Sequence, residues 1–159
     1  MAYELQQTIR LIHDTQMEID LLEEQISIAV NYSQTPLLTI PGIRHTLAGI
    51  ILAEIGSIER FRTPAQLRTF TGMEPSTFQS GKFNASPTPM VKRGSTYLRW
   101  VILQAARLVA MRDRTFRDYL LKKRREGKHF NSALSHVGKK LGRVIFHMFQ
   151  TNRTFVPQT

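Results

Sequence analysis

The sequence predicts an all-α protein: a long N-terminal coiled-coil helix, then a compact helical domain containing a helix-hairpin-helix-like unit. Three observations lead there. No segment of the 159 residues alternates apolar and polar positions with period two, so no strand is expected. Leu5, Ile9, Ile12, Ile19 and Ile26 follow alternating four- and three-residue steps, with Gln16 and Glu23 at the intervening seam positions. Further along, apolar stripes recur at helical spacing between cap and stop residues.

Residues 2–31 read as one helix whose seam needs a partner, because isolated helices gain little from propensity alone. A second copy of the chain would make residues 1–33 a dimerisation arm; a neighbouring domain or the body of the protein would serve equally. Ser33 to Pro36 ends the arm. Pro41-Gly42 makes a tight turn, and Thr46 to Ile55 reads as an apolar helix stopped before Gly56. Thr63-Pro64 has the N-cap and N1 signature of a short helix that stops at Gly72. Ser95 caps a helix to about Arg112, with Leu98, Val101, Ile102, Ala105, Leu108 and Val109 as its buried stripe. Thr115 starts another helix, ending near Gly127. Asn131 caps the last, Ser132 to Gln150, with Leu134, Val137, Leu141, Ile145 and Met148 inward. The helical domain spans 37–150, and residues 151–159 are expected to be a flexible tail.

Composition narrows the function classes. There is no cysteine, which excludes disulfides and thiolate chemistry and suits a reducing cytoplasm. No apolar run approaches the ~20 residues of a membrane span, and the acidic N-terminus does not read as a secretory leader. The charge is segregated. Residues 1–33 hold six acids and one base, net −5, whereas residues 34–159 carry net +15. Such a basic field suits a polyanion, with nucleic acid ahead of a merely solvated surface.

Three elements carry chemistry. The turn Leu38-Thr39-Ile40-Pro41-Gly42-Ile43 resembles a helix-hairpin-helix, whose backbone N–H groups hold a DNA phosphate without reading bases. The usual second glycine is Arg44 here, followed by His45, so Arg44 supplies charge in place of N–H contacts; a plain packing corner is the other reading. The basic run Lys122, Lys123, Arg124 and Arg125 suits phosphates non-specifically, but cations are also favourable at any helix C-terminus. The third element is the stretch from Gly72 to Gly94, with three prolines and neither helical nor strand period. A loop that long is usually functional or disordered. It carries Ser80 and Lys82, and ends in Lys92-Arg93-Gly94 at a helix start. Cations there are electrostatically misplaced unless an anion binds, and Arg99 lies close enough to join the same site.

Read together, LAEIGSIERFRTPAQLRTFTG, PSTFQSG and VKRGSTYLR resemble, in order and spacing, the C-terminal domain of insertion-sequence 110 (Piv/MooV-type) transposases. The likeness covers about residues 37–150, and the arm is similar to the coiled coil that precedes this domain in the family. The resemblance implies a DNA recombinase with activity split between two domains. A RuvC-like domain with a DEDD tetrad binds Mg2+, and the helical domain supplies a serine that attacks a DNA phosphodiester, in some members with a guide RNA. On matching positions Ser80 is the nucleophile, with Lys92, Arg93 and Arg99 as DNA-binding or charge-offsetting groups. The tetrad has no counterpart in these residues, and the family's QSGGK is Gln79-Ser80-Gly81-Lys82-Phe83 here. Alone, the chain is expected to be inactive and to hold no metal. The alternative is a non-catalytic helix-hairpin-helix protein that binds DNA or RNA as a dimer.

Overall fold

The computed structural model describes residues 1–73, 79–80, 83–84 and 94–157, with residues 79–80 and 83–84 described in the backbone only. The fold is all-α, as the missing strand period implies. Among the described residues six helices follow in order: α1 (Ala2–Tyr32), α2 (His45–Ile55), α3 (Pro64–Phe70), α4 (Thr96–Arg112), α5 (Arg114–Arg125) and α6 (Phe130–Thr151). Short 3-10 turns at Pro36–Thr39 and Ile58–Arg60 join the early helices.

The core is built around α4, which touches α2, α5 and α6. Leu98, Val101, Ala105 and Val109 on α4 are fully buried against Ala48 and Ile51 of α2, Phe116 of α5, and Val137, Leu141 and Ile145 of α6. The sequence stripe therefore marks the right face. Leu108 is only half-buried, because it lies under the Pro41-Gly42 turn rather than in the core.

The arm meets the body only near its C-terminal end. Gly49 of α2 admits Ile26, whose Cγ2 lies 2.9 Å from where a Cβ on that glycine would stand. Val30 is buried in the same contact, whereas Leu5, Ile9, Ile12 and Ile19 are exposed by 44–63%. The predicted seam is thus present on one face and bare over its first two thirds within a single chain.

Three helix starts shift from their expected positions, that of α2 by one residue to His45. The cap of α5 is Asp113, not Thr115: its buried carboxylate accepts from Phe116 N at 3.0 Å and fixes the start one residue earlier. The cap of α6 is His129 rather than Asn131, without a side-chain bond; Asn131 already lies in the helix, where its carbonyl accepts from Ser135 Oγ. Part of the tail also contacts the body. Phe155 N donates to Thr39 Oγ1 at 2.8 Å, and its ring lies 6.3 Å from that of Phe116.

The long Gly72–Gly94 segment leaves and re-enters the body at one point. Ser95 N donates to the carbonyl of Phe70 at 2.9 Å, closing the segment's two ends on each other. Gly94 makes that closure possible. Its φ is +111°, and a Cβ there would lie 2.1 Å from the Phe70 oxygen. No side chain fits. Within the segment, the described backbone forms a two-residue antiparallel pairing, Gln79 with Asn84 and Ser80 with Phe83.

These geometries set an order of stabilities. Gly94→Ala combines a left-handed backbone, costing about 1–2 kcal/mol, with a backbone clash, so a loss above about 3 kcal/mol is expected in urea unfolding. Gly127→Ala, at φ +80° but with nothing within 4 Å, should lose only the backbone part. Gly142→Ala, on open helix surface, should gain about 0.5–1 kcal/mol.

Candidate nucleic-acid interface and serine loop

The stem of the serine loop is assembled from residues far apart in sequence. Thr63 caps α3 by accepting from Gln66 N, and Gln66 Oε1 accepts from Arg62 N at 2.7 Å, which fixes the short helix. Phe70 at its end packs on Phe61 with ring centroids 5.4 Å apart. Arg60 lies over both rings at 5.5–5.6 Å, and its Nη1 donates to Ile55 O at 3.2 Å. Ser95 then ties α4 to α2: its Oγ donates to Glu54 Oε2 at 2.5 Å and accepts from Leu98 N at 2.9 Å. Met73, 1% exposed, anchors the outgoing strand beside Gly138 of α6. Glu54, Arg60, Phe61, Phe70, Gly94 and Ser95 therefore meet at one stem.

Ser80 sits in the short antiparallel pairing described above, opposite Phe83 in the backbone register. Lys82, Lys92 and Arg93 lie outside the described residues. Arg99 is on the first turn of α4, just beyond the stem. Its Nη2 donates to Thr96 Oγ1 at 3.4 Å, and its Nη1 is buried with no hydrogen-bond partner among the described residues. A buried, unsatisfied guanidinium nitrogen is costly unless an anion or acceptor reaches it.

The hairpin lies at the other end of α2, about 15 Å away along the helix axis. Its first limb is a single 3-10 turn, Pro36–Thr39. Gly42, at φ +98°, is pressed on α4: a Cβ there would stand 2.9 Å from Leu108 Cβ and 3.2 Å from Arg112 Nη1. Its glycine serves packing. His45 Nε2 meets Asn31 Oδ1 at 3.1 Å and ties α1 to α2. Arg44 is exposed at the start of α2, which has no side-chain cap. Sequence reasoning missed Arg112, whose guanidinium reaches the hairpin across tertiary contact that no local signal encodes.

The basic tract is split between two uses. Lys123 donates to both Glu126 oxygens at 2.8 and 3.0 Å and lies over the Tyr119 ring, and Arg124 Nη1 donates to Lys128 O at 2.9 Å. These two close the end of α5. Lys122 and Arg125 face solvent, as does Arg143 on α6. The Glu126 hydrogen bond holds the Lys123 ammonium above its ordinary pKa, and the same bond holds Glu126 below the usual carboxylate range. Close by, burial pushes the His136 imidazole down from 6.5, with Lys139, Lys128 and Lys123 adding repulsion against a weaker pull from Glu126. An apolar cavity of about 390 Å3 under the tail, lined by Phe116, Val144, Met148 and Phe155, holds none of the residues nominated above.

Residues 34–121, which span the hairpin, the loop stem and α4, match the transposase IS116/IS110/IS902 family. The chain belongs to that family. It is 28% identical over 119 residues to the insertion element IS116 uncharacterized 44.8 kDa protein of Streptomyces clavuligerus, covering 75% of this chain and 30% of that protein. It is 27% identical over 132 residues to the insertion element IS110 uncharacterized 43.6 kDa protein of Streptomyces coelicolor, covering 81% and 32%. It is 25% identical over 127 residues to the pilin gene-inverting protein of Moraxella lacunata, covering 79% and 39%. The chain thus aligns with about a third of each relative's length.

The environment of His136 makes stability depend on pH with a definite sign. Its folded pKa lies below 6.5, so the unfolded chain binds the extra proton first. Stability should be full above about pH 6.5 and fall as pH drops through that value toward the folded pKa. His136→Gln should flatten this part of a thermal-unfolding pH series.

Proposed function

We propose that this chain is the DNA-binding, serine-bearing part of a family transposase, with Ser80 as the nucleophile of strand exchange. The observation that carries the reading is the pinned stem. It brings the two ends of the serine-bearing segment together at the start of α4, where Arg99 Nη1 is buried without a hydrogen-bond partner among the described residues. In the proposed step Ser80 Oγ attacks a DNA phosphorus and the P–O bond to one sugar oxygen breaks. The serine proton passes to solvent or a base, and the departing sugar oxygen takes up a proton. The reversal on another strand end completes exchange. Arg99, with Lys92 and Arg93, offsets charge on the transferring phosphate.

A serine is a weak nucleophile at neutral pH and needs activation. The described residues contain no group of three or more His, Asp or Glu placed to hold a metal ion. In this reading Mg2+ is held by a RuvC-like domain outside these residues, and no step on this chain runs through it. Arg44 and Arg112 at the hairpin, with Lys122 and Arg125, supply phosphate contacts away from the serine. The bare seam of α1 joins two copies, and a guide RNA is a further partner open to this family. No helix among the described residues is long and apolar enough to cross a membrane.

A second reading keeps the DNA or RNA contacts but gives Ser80 no chemistry. It rests on the hairpin and the basic surface, neither of which needs the serine. Supplying a RuvC-like domain in trans separates the two. Ser80→Ala should abolish a covalent protein–DNA adduct while leaving binding within about twofold; recombination that persists unchanged supports the second reading. Both readings expect salt-sensitive binding, with affinity falling about a thousandfold between 50 and 200 mM salt if six phosphates are contacted. Binding that ignores salt contradicts both.

A further inference from the structure

Most aromatic rings of the helical body are engaged. Phe61, Phe70, Phe116, Tyr119, Phe146 and Phe155 each make a ring or cation contact. Tyr97 and Trp100 do not, among the described residues. They stand one turn apart on the outer face of α4, exposed by 72% and 52%. Gln104, Arg107 and Met111 continue the same face at four- and three-residue steps, with Arg107 and Met111 exposed. A single exposed aromatic is unremarkable. Two flat rings on one face, directly after the stem of the serine loop, form a surface.

The charge around them favours a particular occupant. Arg99, Arg107 and Arg112 are the charged residues of α4, and the helix carries no acid. Residues 92–159 hold sixteen bases and three acids. Exposed rings interleaved with cations are the chemistry that grips an unpaired strand, because every base has a face to stack and every linkage a negative charge. Side chains three residues apart on a helix lie about 5–6 Å apart at Cβ, so the two rings suit two neighbouring bases.

We propose that Tyr97 and Trp100 form a stacking platform for unpaired bases of the DNA strand whose phosphate is presented to Ser80. The proposal rests on the reading of Ser80 as the strand-exchange nucleophile and adds what that reading lacks. A phosphodiester passing between strands must leave its duplex, and the platform holds the freed bases at the exit of the loop. Arg99, at the stem, faces the phosphate; Arg107, one to two turns on, follows the backbone of the same strand.

Trp100 is the chain's one tryptophan, so its emission reports the site directly. A thymidine oligomer of about ten nucleotides is titrated into the full chain at moderate salt, and a labelled duplex is followed separately by anisotropy. The single strand should quench Trp100 saturably. Trp100→Ala should weaken single-strand binding about tenfold and duplex binding by less than twofold, with Trp100→Phe retaining most of the affinity. The helical circular-dichroism signal should be unchanged, since the ring is on the surface. Absent quenching alongside intact duplex binding overturns the platform and leaves the proposed function standing. Failure to bind either form overturns both. Equal losses on single strand and duplex reduce Trp100 to part of a general surface. Tighter binding of a uridine oligomer reassigns the face to RNA, and a variant altered only in oligomeric state reassigns it to a protein contact; either outcome overturns the proposal.

Discussion

One hydrogen bond, from the amide of Ser95 to the carbonyl of Phe70, closes a segment of more than twenty residues onto a short stem. Much else depends on it. Bringing the ends of such a segment together costs chain entropy that grows slowly with its length, so a few good contacts at the stem suffice. The contacts are of different kinds and reinforce each other. Gly94 removes the Cβ that would strike Phe70, and Ser95 caps α4 while bonding Glu54. Arg60 and Phe61 hold Phe70 from behind. Loops that carry function are usually held in this way on a rigid scaffold.

The same closure arranges the charged surface. α2 and α4 run antiparallel, so the stem with Arg99 lies at one end of the pair and the hairpin with Arg44 and Arg112 at the other. The basic charge is thereby spread over a length of protein rather than gathered in one pocket. That distribution suits contacts along a nucleic-acid backbone.

The helices were legible because their signals are local. Thr63-Pro64, Ser95 and the apolar stripes each declare a cap or a face within a few residues. Asp113 was missed as a cap because a buried carboxylate followed by Arg114 reads as one more surface charge. The site was legible only in fragments. The LAEIG, RF and KRGS segments are recognisable one by one, but that Glu54, Phe70 and Ser95 meet is a tertiary fact with no sequence period. Gly42 meets a demand that its motif does not show: its missing Cβ makes room for α4. Of four consecutive basic residues, the sequence could not show that Lys123 and Arg124 are spent on closing α5.

If the stem is a rigid closure rather than an incidental contact, the Ser95 amide is held in its hydrogen bond to Phe70 as firmly as the core. Its hydrogen exchange, followed by NMR on the folded chain, should be slowed close to the limit set by global unfolding, together with the buried amides of α4. Exchange at the rate of an open loop, with α4 still protected, would show that the stem is an incidental contact and not a closure.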